Sequence, residues 1–338
     1  MNILAVESSC DETAVAIVRD GREVLVDCIA SQVELHKTYG GVVPEIASRK
    51  HVEAIYGLAD QALEKTGLTR KDIDAVAVTY APGLIGAVLV GVNFAKAAAM
   101  ALNVPLIPVH HIRGHIAANY LAFPELKPPF LCLVVSGGHT MIVEVEDYTK
   151  MRILGTTLDD AAGECFDKVG RVLGMPYPGG AAMDRAAQSG DDTKYPMPRS
   201  KPGANPYDMS FSGLKTAALN TIHHAQQIGE KLDVNSIAAS FSAAVSDTLV
   251  PRVVQALKET GHRQLAVAGG VAANSRIRSD ILSAAEKMGV QVSLPPLKLC
   301  GDNAAMIGAQ GYYEYLAGNT AGMDLNAYAT KSILGETL

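Results

Sequence analysis

The sequence predicts an α/β protein of two duplicated lobes, and two repeated patterns indicate this fold. In the first pattern a strand enters a polar loop, a second strand follows, and a third comes after a turn; residues 2–30 show it and residues 130–157 show it again. The second pattern is a strand, a glycine- or proline-containing loop, a helix, a short strand and another helix, at residues 74–121 and 264–316. Such internal repetition predicts two lobes of like fold, with a ligand-binding cleft between them.

The lobe boundaries follow from the positions of the repeats in the 338-residue chain, whose length suits two medium-sized domains. Lobe I is expected at residues 1–129, joined by the C-terminal helix region 303–338, and lobe II at residues 130–302. Residues 187–213 are rich in Gly, Pro, Ser and charged side chains. This composition predicts a long mobile insertion in lobe II rather than a packed element.

The elements of the first pattern are recognised from apolar runs and turn residues. Residues 3–6 and 14–18 are apolar and flank a polar loop, and the Asp20-Gly21 pair between apolar runs is a hairpin signal. In the second copy the apolar residues 131–135 enter a Ser-Gly-Gly turn. Paired glycines beside apolar runs indicate backbone that turns tightly or approaches a ligand closely.

Composition and charge favour a cytoplasmic protein with no membrane segment. The apolar stretch after Gly83 is interrupted by Asn93 and Lys96, and we expect it to fall short of a membrane-spanning helix. The five cysteines share no CxxC spacing, which favours reduced thiols.

The net charge of −6 argues against a protein that binds nucleic acid without a partner. If RNA is the substrate, either the basic surface is local or a partner supplies it.

A candidate metal site begins with the HHIRGH segment at residues 110–115. If a helix starts near His110, His111 and His115 are four residues apart and share one face, close enough to bind one metal. At the matching helix start of the second repeat stands Asp302, whose carboxylate we expect to face the histidines across the cleft. Two imidazoles and one carboxylate suit iron(II), zinc or manganese. The alternative for Asp302 is a helix N-cap.

Three further groups are candidates for binding or catalysis. The turn Ser136-Gly137-Gly138 could form an anion nest or a tight hairpin that needs positive φ. Residues 268–278 (AGGVAANSRIR) follow a strand and open a helix, which suits a nucleotide, although they match neither GxGxxG nor GxxxxGK[ST]. The adjacent carboxylates Asp11 and Glu12 could act as a base, bind a cation, or merely solvate a turn.

Taken together, these segments resemble the TsaD family, the bacterial tRNA N6-adenosine threonylcarbamoyltransferases related to the catalytic subunit of the KEOPS complex. The resemblance covers about residues 1–325. It rests on several motifs that occur in order: ESSCDET at 7–13, HKTYGGVVPEIASRKH at 36–51, HHIRGH at 110–115, VSGGHT at 135–140, DDAAGECFDKVGRVLGMPYPGG at 159–180, SFSGLKT at 210–216, AGGVAANSRIR at 268–278 and CGDNAAMIG at 300–308.

The resemblance implies the actin-like ATPase fold with two ribonuclease-H-like lobes. It implies transfer of the threonylcarbamoyl group from L-threonylcarbamoyladenylate to N6 of adenosine 37 in tRNAs that read ANN codons, with release of AMP. It also implies one divalent metal per subunit, iron(II) with zinc as the alternative, held by His111, His115 and Asp302. The residues that it implies for binding the adenylate are Val134, Val135, Ser136, Gly137, Gly138, Asp167, Gly180, Asp184 and Asn274.

The family also implies partners. In its bacterial members these are a TsaB-like paralogue, which forms a heterodimer, and a TsaE-like ATPase, while TsaC makes the adenylate.

Archaeal and eukaryotic relatives carry a tyrosine that adds a metal ligand just before the Ser-Gly-Gly turn. This chain has Leu133, Val134 and Val135 there, so we expect an open metal site. The basic residues Lys194, Arg199 and Lys201 are candidates for contacting tRNA.

The sequence also suggests a mechanism and three alternative functions. Asp11 or Glu12 would accept the proton of the attacking amine, while the metal acts as Lewis acid. The main alternative is an ATP-dependent kinase or ATPase of the actin-like fold, but the loop at residues 7–13 lacks the glycine of a DxGT motif. A metalloprotease is disfavoured because Ile112, not Glu, follows His111. A non-catalytic interaction module would require that no metal binds.

Overall fold

The computed structural model describes residues 1–201 and 203–334. Within them the strands form two five-stranded sheets. The strands are β1 (Asn2–Glu7), β2 (Glu12–Arg19), β3 (Glu23–Ser31), β4 (Ala75–Ala81), β5 (Leu106–His110), β6 (Phe130–Val135), β7 (Thr140–Asp147), β8 (Lys150–Thr156), β9 (Gln264–Ala268) and β10 (Gln291–Ser293). The α-helices are α1 (Val33–Lys37), α2 (Pro44–Thr66), α3 (Ile85–Leu102), α4 (His111–Ala122), α5 (Ala162–Val172), α6 (Gly179–Ala187), α7 (Ser212–Ile228), α8 (Val234–Thr260), α9 (Ser275–Met288) and α10 (Ala304–Leu316).

The two sheets repeat one topology. The first has the order β3-β2-β1-β4-β5, and the second, from the corresponding edge, has the order β8-β7-β6-β9-β10. In each sheet the central strand pairs antiparallel with the strand that follows it in the chain and parallel with the fourth strand. The predicted duplication of an α/β fold is therefore confirmed.

The chain divides into two compact units. Unit 1 comprises Met1–Pro128, Glu146–Met151 and Pro295–Leu338, and unit 2 comprises Pro129–Val145 and Arg152–Leu294. The placement of Asp302 on the second lobe needs correction, because this residue and α10 both belong to unit 1. Helix α10 itself lies in the region expected to join lobe I, and it packs on the first sheet, where it covers β1, β2 and β5.

The core of unit 1 consists of two apolar layers on the two faces of its sheet. Successive side chains of a strand point to opposite faces, so Leu4 and Val6 of β1 pack with α2 and α3, whereas Ile3 and Ala5 pack with α4 and α10. Helix α10 lies very close to the sheet at Gly308, where an added Cβ would stand 2.6 Å from Val18 Cγ2. This close packing sets the position of the chain just before α10, which carries Asp302.

Among the described residues, two helices are long and apolar enough to cross a membrane, judged by length and composition only. One is α8, whose most apolar window is 78% buried within the protein, as expected for the core helix of a soluble domain. The other is α3, with 18 residues, so the expectation that this stretch falls short of a spanning length is wrong. Asn93 and Lys96 do not interrupt the helix, which packs on α2 and β4.

The segment between α6 and α7 is irregular in its described part, as its composition predicts. It is nevertheless attached to α8 by hydrogen bonds from the Asp191 amide to Ser236 Oγ (3.0 Å) and from Arg252 Nε to the Asp208 carbonyl (2.6 Å). The mobility of residues 187–213 stays a prediction. Two of the basic side chains proposed to contact tRNA form ion pairs within unit 2, Lys194 with Asp233 at 2.9 Å and Arg199 with Asp247 at 2.8 Å.

Candidate metal centre

Three side chains of unit 1 converge at the start of α4. His110 is the N-cap residue of this helix, and its Nδ1 accepts a hydrogen bond from the Ile112 amide at 3.2 Å. His111 and His115 follow on one face, with ring centroids 4.6 Å apart. Asp302 Oδ1 lies 3.5 Å from His111 Nε2 and 3.2 Å from His115 Nε2. The structure thus brings together the three residues that the sequence analysis singled out as metal ligands, within one unit.

The spacing and chemistry of this group fit a transition metal. Ligand bonds of about 2.1 Å place neighbouring ligand atoms roughly 3 to 3.5 Å apart, which matches both measured separations. Two nitrogen ligands and one carboxylate oxygen leave coordination positions open for a substrate. The alternative role of Asp302 as an N-cap is wrong, because Asn303 caps α10 by accepting the Met306 amide at 2.9 Å.

Opposite charges within this group determine the protonation states of His111 and Asp302. Burial lowers the pKa of His111, but the adjacent Glu7 and Asp302 carboxylates outweigh this effect and raise it to about 9. Burial raises the pKa of Asp302, yet the two histidines hold it at about 2. The carboxylate is therefore ionised at neutral pH and ready to bind a cation, which must displace the proton from the imidazole.

Glu7, the last residue of β1, is a component of the site that the sequence analysis did not identify. It is fully buried, and its Oε2 lies 3.0 Å from His111 Nδ1. Its Oε1 accepts the Ser9 amide at 2.6 Å, and its Oε2 accepts Thr79 Oγ1 at 2.6 Å. Burial raises its pKa, but His111 and the hydrogen bond from Thr79 bring it below the ordinary value. A carboxylate that ends an apolar strand was the available signal.

Asp11 lies in the loop after β1, and Glu12 is the first residue of β2. Asp11 is only 8% exposed, and burial together with the charge of Asp302 raises its pKa. Burial also raises the pKa of Glu12, to about 7. Glu12 Oε1 accepts Ser31 Oγ at 2.9 Å, whereas the buried Oε2 has no hydrogen-bond partner among the described residues. These features argue against carboxylates that merely solvate a turn.

In unit 2, the turn after β6 packs against the N-terminus of α5. The Gly163 amide donates to the Ser136 carbonyl at 3.2 Å, and the Glu164 amide donates to the Gly137 carbonyl at 3.1 Å. The Ser136 amide donates a hydrogen bond to the His139 carbonyl, so it is not available to an anion. Neither Gly137 nor Gly138 has positive φ, so the predicted alternative of a tight hairpin that needs positive φ is wrong.

The other residues implied in adenylate binding join three helices of unit 2. Asp167 Oδ1 on α5 accepts the Gly180 amide at 3.1 Å. Asp184 Oδ1 on α6 accepts the Ser275 amide at 2.9 Å, at the start of α9. Asn274 is the N-cap residue of α9. As predicted, residues 268–278 lead from β9 into this helix.

Comparisons with known proteins show which family and which solved structures the chain resembles. The family model of TsaD, described as tRNA N6-adenosine threonylcarbamoyltransferase, matches residues 23–309. The tRNA N6-adenosine threonylcarbamoyltransferase of Moorella thermoacetica is 54% identical over 326 residues, which cover 96% of this chain and 95% of the relative.

Solved structures share the fold at low sequence identity. The HypF protein of T. kodakarensis superimposes with a TM-score of 0.62 and 16% identity, over 96% of this chain and 49% of that one. Component A of (R)-2-hydroxyglutaryl-CoA dehydratase from Acidaminococcus fermentans gives a TM-score of 0.54 and 15% identity, over 94% of this chain and 99% of that one. These similarities confirm the predicted actin-like fold.

Proposed function

Because the chain belongs to the TsaD family of tRNA N6-adenosine threonylcarbamoyltransferases, we propose that His111, His115 and Asp302 form the metal centre of this activity. The enzyme is a transferase that moves a threonylcarbamoyl group onto N6 of an adenosine in tRNA. The proposal is carried by one observation: Asp302 Oδ1 lies within 3.5 Å of His111 Nε2 and 3.2 Å of His115 Nε2.

The donor in this proposal is L-threonylcarbamoyladenylate, and the acceptor is adenosine 37 of tRNAs that read ANN codons. The N6 nitrogen forms a bond to the carbamoyl carbon, and the bond from that carbon to the phosphate oxygen of AMP breaks. Since this mixed anhydride is already activated, the protein mainly has to position the two reactants and stabilise the leaving AMP.

When bound, iron(II), or zinc as the alternative, supplies Lewis-acid polarisation of the carbamoyl carbonyl. Glu12 is the preferred residue for accepting the N6 proton, with Asp11 as the alternative. A general base works best when its pKa is close to the operating pH, and the pKa of Glu12 is about 7.

Adenylate binding is assigned to residues of unit 2. The Gly163 and Glu164 amides at the N-terminus of α5 donate to the carbonyls of the turn at Ser136 and Gly137, so the dipole of this helix, rather than its free amides, would favour a phosphate beside the turn. A Cβ added at Gly137 or Gly138 would meet no atom within 4 Å, so both positions leave room for a ligand. Val134, Val135, Asp167, Gly180, Asp184 and Asn274 complete the proposed binding set.

Partner proteins are part of this proposal because the chain carries a net charge of −6, and tRNA binding normally needs a basic surface. We expect a TsaB-like paralogue and a TsaE-like ATPase. An apolar groove of about 320 Å³ between α2 and α3, lined by Tyr56, Leu63 and Phe94, favours protein contact at this face. We expect the protein to act in the cytoplasm as a soluble enzyme, because its acceptor is tRNA.

The direct test is mass analysis of tRNA nucleosides after incubation of the protein with threonylcarbamoyladenylate and an unmodified tRNA, with and without the partner proteins. Formation of N6-threonylcarbamoyladenosine, and its loss after metal removal, are the expected results. Transfer of the γ-phosphate of ATP to a small acceptor, without the modified nucleoside, would instead favour the kinase alternative.

A further inference from the structure

Glu7 is the carboxylate closest to His111 on the side away from Asp302. It is fully buried, and a buried carboxylate is costly unless it is paired and hydrogen-bonded. Both of its oxygens are engaged, Oε1 by the Ser9 amide at 2.6 Å and Oε2 by Thr79 Oγ1 at 2.6 Å. One donor lies in the loop after β1 and the other lies within β4. Glu7 is therefore a rigid group, with its acceptor oxygen aimed at the imidazole.

The contact of Glu7 with His111 determines where the imidazole carries its proton. Glu7 Oε2 lies 3.0 Å from His111 Nδ1, and Ser9 Oγ lies 3.2 Å from the same nitrogen. An ionised carboxylate can only accept hydrogen bonds, so Nδ1 must be the nitrogen that donates. The lone pair of a neutral imidazole is then on Nε2, the nitrogen that lies 3.5 Å from Asp302 Oδ1.

His115 lacks a corresponding contact. Its side chain is buried, and its Nδ1 has no hydrogen-bond partner among the described residues. Metal-binding histidines usually donate their second ring N–H to a carboxylate, a carbonyl or water, which fixes the tautomer and ring orientation. The two histidines of this group therefore differ, since only His111 has a protein carboxylate on its second nitrogen.

We propose that Glu7 is the positioning residue of the metal centre. It holds His111 with its proton on Nδ1, so that Nε2 is free to bind the metal together with His115 and Asp302. This inference rests on the proposed function, because it presupposes that the three residues bind a metal. It adds a fourth residue to the centre and makes His111 the ligand whose orientation the protein fixes.

The first test is metal affinity of the Glu7→Gln variant, measured by titration of metal-stripped protein with zinc and with iron(II) under anaerobic conditions. The glutamine amide matches the carboxylate in size but can donate to Nδ1, which favours a proton on Nε2 and opposes metal binding there. Loss of such an outer hydrogen bond typically weakens metal affinity about 10- to 100-fold. We expect a loss in this range, with the far-ultraviolet circular dichroism unchanged.

A matched control exists in unit 2. Glu144 Oε1 lies 2.7 Å from His262 Nε2, so the Glu144→Gln variant alters a carboxylate–histidine pair of the same kind that is not part of the metal group. We expect its metal affinity to equal that of the unaltered protein. Equal losses in the two variants would show a general effect of such substitutions and would overturn the proposal.

A second measurement needs no variant. In the zinc-loaded unaltered protein, long-range ¹H–¹⁵N spectra should show His111 with a protonated Nδ1 and a metal-bound Nε2. A metal-bound Nδ1, or a Glu7→Gln variant that binds zinc and iron(II) as tightly as the unaltered protein, would reject the role of Glu7 alone. If the unaltered protein binds no metal, the metal centre is wrong, and this inference fails with it.

Discussion

His115 Nε2 lies 3.2 Å from Asp302 Oδ1, and this contact joins the two copies of the internal repeat within unit 1. His115 is on α4, which ends the first copy, and Asp302 lies two residues before α10, which ends the second. The two helices pack so closely that a Cβ added at Gly114 would stand 2.7 Å from Ile307 Cδ1. The geometry of the group therefore depends on glycines that lie outside it.

Replacing Gly308 should disturb this packing. An alanine Cβ would stand 2.6 Å from Val18 Cγ2 and 3.2 Å from Ala5 Cβ, so α10 must move away from the sheet. We expect Gly308→Ala to lower the free energy of unfolding by about 1–3 kcal/mol and to weaken metal binding. Urea unfolding and a metal titration measure the two effects.

The control for this substitution is Gly57→Ala in the middle of α2, where an added Cβ would meet nothing within 4 Å. Alanine is a better helix former than glycine, so this variant should gain roughly 0.5–1 kcal/mol. A Gly308→Ala protein as stable as the unaltered chain would contradict the close-packing argument.

The pH dependence of the transfer rate should follow the ionisation of the Glu12 carboxyl group. Burial raises the pKa of its carboxyl to about 7, and only the ionised form can accept the amine proton. We expect kcat/KM to fall about tenfold per pH unit below this value and to level off above it. The Glu12→Gln variant should transfer more slowly and should lose the inflection in the pH dependence of kcat/KM. The control Glu34→Gln, at a side chain that is 85% exposed, should change neither. An unaltered inflection in Glu12→Gln would reject this base.

Asp27 should make the stability of the protein depend on pH. Burial raises its pKa from 3.8 to about 6, although its carboxylate accepts the Ala304 amide at 3.3 Å. Because the folded state favours the protonated form, this stabilisation is complete below pH 3.8 and is lost as pH rises through about 6.

The Asp27→Asn variant should therefore become more stable relative to the unaltered protein as pH rises from 4 to 7. The relative gain should reach at most about 3 kcal/mol, since each pKa unit corresponds to about 1.4 kcal/mol. Denaturant unfolding at both pH values measures it. Parallel stability curves for the two proteins would contradict the assignment.

Substitution of Gly163 tests adenylate binding by unit 2 without changing the three proposed metal ligands. A Cβ there would stand 2.5 Å from the Ser136 carbonyl oxygen, so Gly163→Ala should push the start of α5 away from the turn. We expect the KM for threonylcarbamoyladenylate to rise at least about fivefold, which corresponds to about 1 kcal/mol, at unchanged metal content. Gly213→Ala on α7, with nothing within 4 Å of its Cβ, is the control. An unchanged KM in Gly163→Ala would argue against adenylate binding at this turn.

Features that repeat along the chain could be predicted from the sequence, whereas features set by tertiary packing could not. The strands and the four-residue spacing of His111 and His115 follow from local patterns, and the structure has both. The boundary predicted between residues 302 and 303 places Asp302 in lobe II, whereas the chain returns to unit 1 at Pro295, and no local pattern marks that return. Glu7 was missed since its role depends on a contact with a residue far along the chain.

Metal content after substitution tests the central claim most directly. The unaltered protein, purified without added metal, should contain about one iron or zinc per chain by elemental analysis, and His111→Ala and Asp302→Ala should contain none and form no N6-threonylcarbamoyladenosine. His224→Ala, an exposed histidine of α7, should retain both metal and activity. A metal-free Asp302→Ala protein with full transfer activity, or one that still binds its metal, would contradict the account.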